Sequence, residues 1–145
     1  MKKKKMFPKK VVVLILLFVI ISTISTYIFY KNFVIFDVQE TKMYLNVSNG
    51  TVGINVDTDA LYFGKIPRGG IGTRNISLSN YDSNPHIIHI KLYGDFADWV
   101  YVSKNNFVIK PNSTEVVEVF VYVPNDAQIG NYTGTLRVEF LNKFF

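Results

Sequence analysis

The residues able to do chemistry are few, and their spacing limits what they can do. His86 and His89 are the only histidines. They stand three apart in a stretch that reads as strand, so their side chains point to opposite faces and a shared metal ion is disfavoured. No Gly-x-Ser-x-Gly elbow, His-Glu-x-x-His helix or phosphate-binding glycine loop before a helix accompanies them, and Gly69, Gly70 and Gly72 read as a loop before a strand. Two acidic pairs, Asp57 with Asp59 and Asp95 with Asp98, have the oxygen chemistry calcium prefers but not the ligand density of a calcium loop, and they read as solvated loop acids. With no cysteine, thiol catalysis, zinc-thiolate sites and iron–sulfur clusters are excluded. The expectation is a chain without catalytic, metal or cofactor sites.

One modification chemistry is over-represented. Asn-x-Ser/Thr occurs at Asn46, Asn49, Asn75, Asn112 and Asn131, five of the thirteen asparagines, and proline occupies no middle position. Asn46 and Asn75 fall on the outward parity of their strands, while Asn49, Asn112 and Asn131 are expected in turns, where a glycan has room. Frequent Asn, Ser and Thr at turns and on wet strand faces would raise the count without any glycan.

The elements that must carry these residues begin with a membrane signal. Lys2, Lys3, Lys4, Lys5, Lys9 and Lys10 precede an uncharged run from Val11 to Tyr30. As a helix that run would be about 30 Å long, the thickness of a bilayer's hydrocarbon core. The lysines place the amino terminus in the cytoplasm and the carboxyl-terminal part outside. A cleaved signal peptide is the competing reading, with Thr23-Ile24-Ser25 as a weak small-x-small site. Ser22, Thr23, Ser25 and Thr26 also fit a helix whose hydroxyls bond back to the preceding turn. A pilin-type leader is disfavoured, because the small residue before cleavage and the glutamate after it are both missing around Lys10-Val11.

This block also explains the global charge of +5. From residue 32 onward nine basic residues face eleven acidic ones, so the exported part is mildly acidic and offers no face for phosphates. The expected organisation is a lysine-rich cytoplasmic tail over 1–10, a transmembrane anchor contacting the lipid bilayer over 11–31, a juxtamembrane linker over 32–41, and one extracytoplasmic domain over 42–145.

That domain alternates with a period of two. Gly134, Leu136, Val138 and Phe140 oppose Thr133, Thr135, Arg137 and Glu139; Ile88, Ile90 and Leu92 oppose His89, Lys91 and Tyr93. Ile76 and Leu78 oppose Asn75, Ser77 and Ser79, and Met43, Leu45 and Val47 make a shorter inward set. Val117, Val119, Val121 and Val123 form one face of a strand whose other face, Val116, Glu118, Phe120 and Tyr122, suggests a central position with both sides partly covered. With stretches near Val52–Val56, Leu61–Phe63, Val100–Val102 and Phe107–Ile109, and turn residues between, the count reaches about seven to nine strands, which suits an all-β, antiparallel two-sheet sandwich. Trp99, Phe96 and Tyr101 are expected to fill one end of its core.

The run Leu61-Tyr62-Phe63-Gly64-Lys65-Ile66-Pro67 through Gly72 to Ile76-Ser77-Leu78-Ser79-Asn80 resembles the opening strands of immunoglobulin-like modules of the MSP/ASH kind. Pro111-Asn112-Ser113-Thr114, Val123-Pro124 and Ile129-Gly130-Asn131-Tyr132-Thr133-Gly134 are similar to their later strands and to the NPCBM-associated sandwiches of prokaryotic, archaeal-like surface proteins. The resemblance covers residues 60 to 141. It implies an immunoglobulin-like fold and a spacer, adhesion or assembly role, and leaves residues 32–59 to supply a stalk and extra edge strands.

The function expected from these readings is a non-catalytic, single-pass protein of the cell membrane. It displays one immunoglobulin-like domain toward an envelope or surface-layer protein, and binds neither nucleic acid nor an evident small-molecule substrate. Two other readings compete: a stator-like subunit of a motility or secretion machine, and a carbohydrate-binding module using Tyr81, Tyr93 or Tyr101.

Overall fold

A computed structural model describes residues 8–48 and 59–143. The chain divides into two compact units, Met1–Ile35 and Phe36–Phe145.

The first unit is helical. Its α-helix α1, Lys9–Phe29, follows Pro8, whose φ of −59° already suits a helix start. Thr23 Oγ1 donates to the Val19 carbonyl at 2.8 Å and Thr26 Oγ1 to that of Ser22 at 2.9 Å, which hides two hydroxyls inside an otherwise apolar rod. A π-helical turn, Tyr30–Val34, ends it. The apolar span over Lys9–Val34 has a mean hydropathy of 2.7 and no buried residue, a length and composition that suit a bilayer crossing and equally a signal sequence. Lys9 and Lys10 sit exposed in the first turn of α1; Lys2 to Lys5 lie outside the described residues.

The second unit is a β-sandwich of eight described strands: β1 Ile35–Val47, β2 Ala60–Ile66, β3 Ile71–Asn80, β4 His86–Gly94, β5 Val100–Val102, β6 Phe107–Ile109, β7 Ser113–Tyr122 and β8 Gly130–Asn142. The larger sheet has the order β2-β1-β8-β4-β6 and the smaller β3-β7-β5. In immunoglobulin terms, β3-β7-β5 repeats the B-E-D connectivity and β4-β8 the C-F pair, so the second unit forms the all-β two-sheet sandwich expected from the alternation, in the immunoglobulin-like arrangement the resemblance implied. The stretch near Val52–Val56 lies outside the described residues.

Three features depart from the expected arrangement. The segment 32–41, read as a linker, contains the end of the π-helical turn and the first seven residues of β1. Its alternation is spoiled by Phe36, Asp37, Gln39 and Glu40, all exposed, which is why it did not read as strand. The pairing of β1 with β2 is parallel, Lys42 opposite Ala60 and Val47 opposite Ile66, with an irregularity between Tyr44 and Leu45. By contrast β3–β7, β4–β8, β4–β6 and β5–β7 are antiparallel. Finally, β1 stands beside β8 on the side away from β4, the place that the last strand, G, holds in an immunoglobulin sandwich.

The core lies between the sheets. Met43, Leu45 and Val47 from β1, Leu136, Val138 and Phe140 from β8, and Ile88 and Ile90 from β4 meet Val117, Val119 and Val121 from β7, all nearly or fully buried. Phe96 closes one end, edge-on to Phe63 at 6.2 Å between centroids. Trp99 turns toward Phe96 and Tyr132, the latter ring 4.9 Å away, as the core-end expectation had it; Tyr101 does not join them and is 61% exposed. Its position in β5 puts it on the outward parity, opposite the outward Phe120 of β7.

Two asparagines stand in for backbone. Asn80, 3% exposed, donates to the carbonyls of Asn84 and Lys110 and accepts from the Asp82 N–H, tying the turn after β3 to the turn after β6. Asn105 accepts from the Ile90 N–H and donates to the Ile90 carbonyl, each at 2.8 Å. Its amide thus extends the edge pairing of β4 past the three residues that β6 covers.

Candidate functional site

The two outer faces of the sandwich are built differently. On the larger sheet, Glu40 from β1, Arg137 and Glu139 from β8, and Lys91 and His89 from β4 all point outward. Register sets His89 opposite Glu139 and Lys91 opposite Arg137, so one carboxylate meets three nitrogen-bearing side chains. Lys91 Nζ lies 2.9 Å from Glu139 Oε2, Arg137 Nε 3.0 Å from Oε1, and His89 Nδ1 3.7 Å from Oε2; Arg137 also reaches Glu40 at 3.3 Å. Glu139 is only 3% exposed although its parity is outward. Burial pushes its carboxyl up, and the hydrogen bonds and charges of Lys91 and then Arg137 outweigh that, holding it below the ordinary 4.5. Farther along this face Tyr44 and Tyr62 stack at 4.9 Å, and Lys42 Nζ donates to Thr135 at 3.1 Å.

On the smaller sheet the outward residues are apolar and open at one end, around Phe120, while Asn75, Ser77, Thr114 and Glu118 keep the rest of the face polar. Ile71 pairs with Tyr122, Thr73 with Phe120, and Phe120 in turn with Tyr101. Ile71, Tyr101, Tyr122 and Val116 are 68, 61, 45 and 50% exposed. The strand β7 is therefore central, as its sequence suggested; its inward face is fully covered, and on the outward face Phe120 alone among Val116, Glu118, Phe120 and Tyr122 is half-buried.

A third cluster sits at the Asp82–His86 corner. His86 is 1% exposed, its ring stacks on Phe36 at 4.2 Å, and its Nε2 is 3.0 Å from Asp82 Oδ2. The carboxylate accepts from Nε2, and Nδ1 is buried with no hydrogen-bond partner among the described residues. The Ser83 backbone N–H holds Asp82 below its usual value against a smaller opposing effect of burial, helped by His86 and Asn84. The histidines do face opposite ways: His86 into the sandwich, His89 out to Glu139.

The residues singled out from the sequence scatter. Asn46 and Asn131 meet across β1 and β8, Asn46 Nδ2 donating to Asn131 Oδ1 at 2.6 Å. Asn131 is the second residue of β8 and not in a turn, because pairing with β1 extends that strand. Asn75 is exposed on the outer face of β3; Asn112 lies in the turn before β7 at φ 49°. Asn49 and Asp57 lie outside the described residues. Asp95 is already occupied, accepting from both the N–H and the hydroxyl of Thr133 at 3.1 Å. Among the described residues no group of three or more His, Asp or Glu is placed to hold a metal. Tyr93 and Tyr101 stand on different sheets and Tyr81 in the loop after β3, so the three do not form one platform.

The ionic row and the open apolar face were missed because both depend on cross-strand register. The signal available was the outward half of β7, unusually apolar for a wet face.

No protein-family model matches the chain, and no curated protein matches it. Among solved structures it is similar to the DraE adhesin in complex with chloramphenicol succinate, at 15% identity over 72% of this chain and 95% of that one, with a TM-score of 0.40. It is also similar to the AfaE-3 adhesin from Escherichia coli, at 17% identity over 73% of this chain and 94% of that one, with a TM-score of 0.35. Likeness at this level carries no argument about what the chain does.

Proposed function

We propose that this chain is a non-enzymatic protein of the cell membrane that holds one immunoglobulin-like sandwich outside the cell for contact with another envelope protein. The observation that carries the reading is the end of the smaller sheet where Ile71, Tyr101 and Tyr122 stand in water around Phe120, whereas ion pairs hold the centre of the larger sheet's outer face. An aromatic and aliphatic row of this kind is what protein interfaces bury. The apolar helix at the amino-terminal side, preceded by lysines, supports an anchor with its amino terminus in the cytoplasm. The mildly acidic sandwich supports a protein partner over nucleic acid, and the likeness of residues 60 to 141 to MSP/ASH and NPCBM-associated modules agrees with a contact role. Asn112, exposed in the turn before β7, is the sequon best placed to carry a glycan without covering the outer face of the smaller sheet.

The test places a photo-crosslinking residue at Tyr122 in the full chain, in intact cells. Adducts with envelope proteins, lost on Phe120→Glu, are expected. Adducts with cytoplasmic proteins alone would overturn topology and function together.

A further inference from the structure

A cavity of about 340 Å³, open to solvent on one side, lies where β1 begins and β3 stops. Phe36 and Asp37 come from the first residues of β1, Asn80 ends β3, Tyr81 and Asp82 follow it, and the buried Phe140 of β8 supplies the floor. Its volume is near the lower bound of ligand pockets, a size that one long side chain fills. The place is distinct from the apolar end of the smaller sheet, because Ile71 and Asn80 stand at opposite ends of β3, about 30 Å apart.

The walls are fixed from behind. His86, which does not itself line the cavity, stacks on Phe36 at 4.2 Å and sets its Nε2 3.0 Å from Asp82 Oδ2. One buried side chain thus holds an aromatic wall and an anionic one. Asn80 accepts from the Asp82 N–H at 2.9 Å and donates to the Asn84 carbonyl at 2.8 Å, while the Ser83 N–H donates to Asp82 Oδ1 at 2.7 Å. Asp37 is exposed, and among the described residues it accepts only from Gln39 Nε2, at 3.2 Å through Oδ2, which leaves Oδ1 for a guest.

The lining selects that guest. It carries two carboxylates and no cationic side chain. Phe36 and Tyr81, 53 and 88% exposed, add ring faces whose negative potential attracts a cation. A bare metal ion finds too few ligands, since among the described residues no three His, Asp or Glu come together to hold one. A lysine or arginine side chain matches both parts of the lining, its apolar stem lying along the rings and its charged head at the carboxylates.

We propose that this cavity takes the ammonium or guanidinium head of a lysine or arginine side chain on a partner protein, as a second contact of the displayed sandwich. In naming a protein as the source of the cation, it rests on the contact reading above.

The test titrates the full-length, detergent-solubilised chain at constant ionic strength with short blocked peptides carrying a central lysine, arginine or glutamine, and follows the Asp82 and Ser83 backbone amides by NMR. Saturable shifts at about millimolar concentration are expected for the lysine and arginine peptides and none for the glutamine one. Asp37→Asn should weaken binding about tenfold. That variant leaves the contacts of His86, Asn80 and Ser83 in place, so its melting temperature should hold. Shifts that never saturate, equal saturation by the glutamine peptide, or an undiminished affinity in Asp37→Asn overturns the proposal. Saturation by butylammonium with neither cationic peptide bound overturns it too, because the occupant is then a free amine. The purified chain binds the peptides or fails to whatever its topology in the cell, whereas crosslinks from Tyr122 report contact outside the cell. Peptide binding without those crosslinks therefore ends the display reading and leaves the cavity standing, and crosslinks without peptide binding do the reverse.

Discussion

The outer faces of the two sheets solve the same problem in opposite ways. A strand face turned to water is ordinarily polar and loosely solvated. The larger sheet instead draws its polar groups together until Glu139 is nearly buried among Lys91, Arg137 and His89. The smaller sheet keeps apolar groups where water reaches them. If the smaller sheet's face takes a partner as proposed, substitutions on the first face should register in unfolding and those on the second in association.

The largest effect should come from Glu139→Ala, which leaves Lys91 and Arg137 facing each other without the carboxylate between them. Breaking a fully buried pair costs about 3–5 kcal/mol. Here the two cations keep about a third of their side chains in water, so we expect about 2–3 kcal/mol, read from denaturant unfolding of the detergent-solubilised chain. A loss below about 0.5 kcal/mol, the range of ordinary surface changes, would put the two faces on an equal footing.

Asn105→Ala follows, at about 1–2 kcal/mol for two hydrogen bonds to Ile90. Faster amide exchange at Ile90 is the specific readout. Unchanged exchange there would mean that the edge of β4 is protected by something else.

The pH dependence is smaller and has a defined sign. Glu139 is depressed in the folded protein, so above the ordinary 4.5 both states are ionised and its stabilisation is fully present. As pH falls below 4.5 the unfolded chain takes up the proton first, and stability declines until the folded carboxyl is protonated too. Melting temperature should drop through this acid window and drop less in Glu139→Gln; equal slopes would remove the ionic row from the comparison.

The smallest change in stability is expected from Tyr122→Ser on the open face, within about 0.5 kcal/mol. Its effect belongs in the crosslinking yield at a neighbouring site such as Tyr101, which should fall while the melting temperature holds. If both fall together, the apolar row serves the fold and not a partner.

The sequence disclosed the strands whose two faces differ strongly. Val117, Val119 and Val121 or Leu136, Val138 and Phe140 announce an inward side without help from their neighbours. It did not disclose the amino-terminal half of β1, because Phe36, Asp37, Gln39 and Glu40 carry no consistent alternation; that segment is ordered by the strands beside it. Glu139 shows the limit most clearly. Parity correctly turned it outward, yet its burial comes from side chains at neighbouring register positions of β4 and β8, and no local pattern encodes register. Asn80, the last residue of β3, has a side chain that holds two turns together, a role that strand alternation does not encode.

The direct passage from the π-helical turn into β1 has a mechanical consequence. A force applied at Ile35 along the axis of β1 and resisted by the body of the sandwich would load the hydrogen bonds to β8 and β2 together in shear instead of opening them one at a time. A strand placed at an edge, or reached through a slack tether, would peel. Under such a pull the interior place of β1 would set the strength of the domain's amino-terminal end.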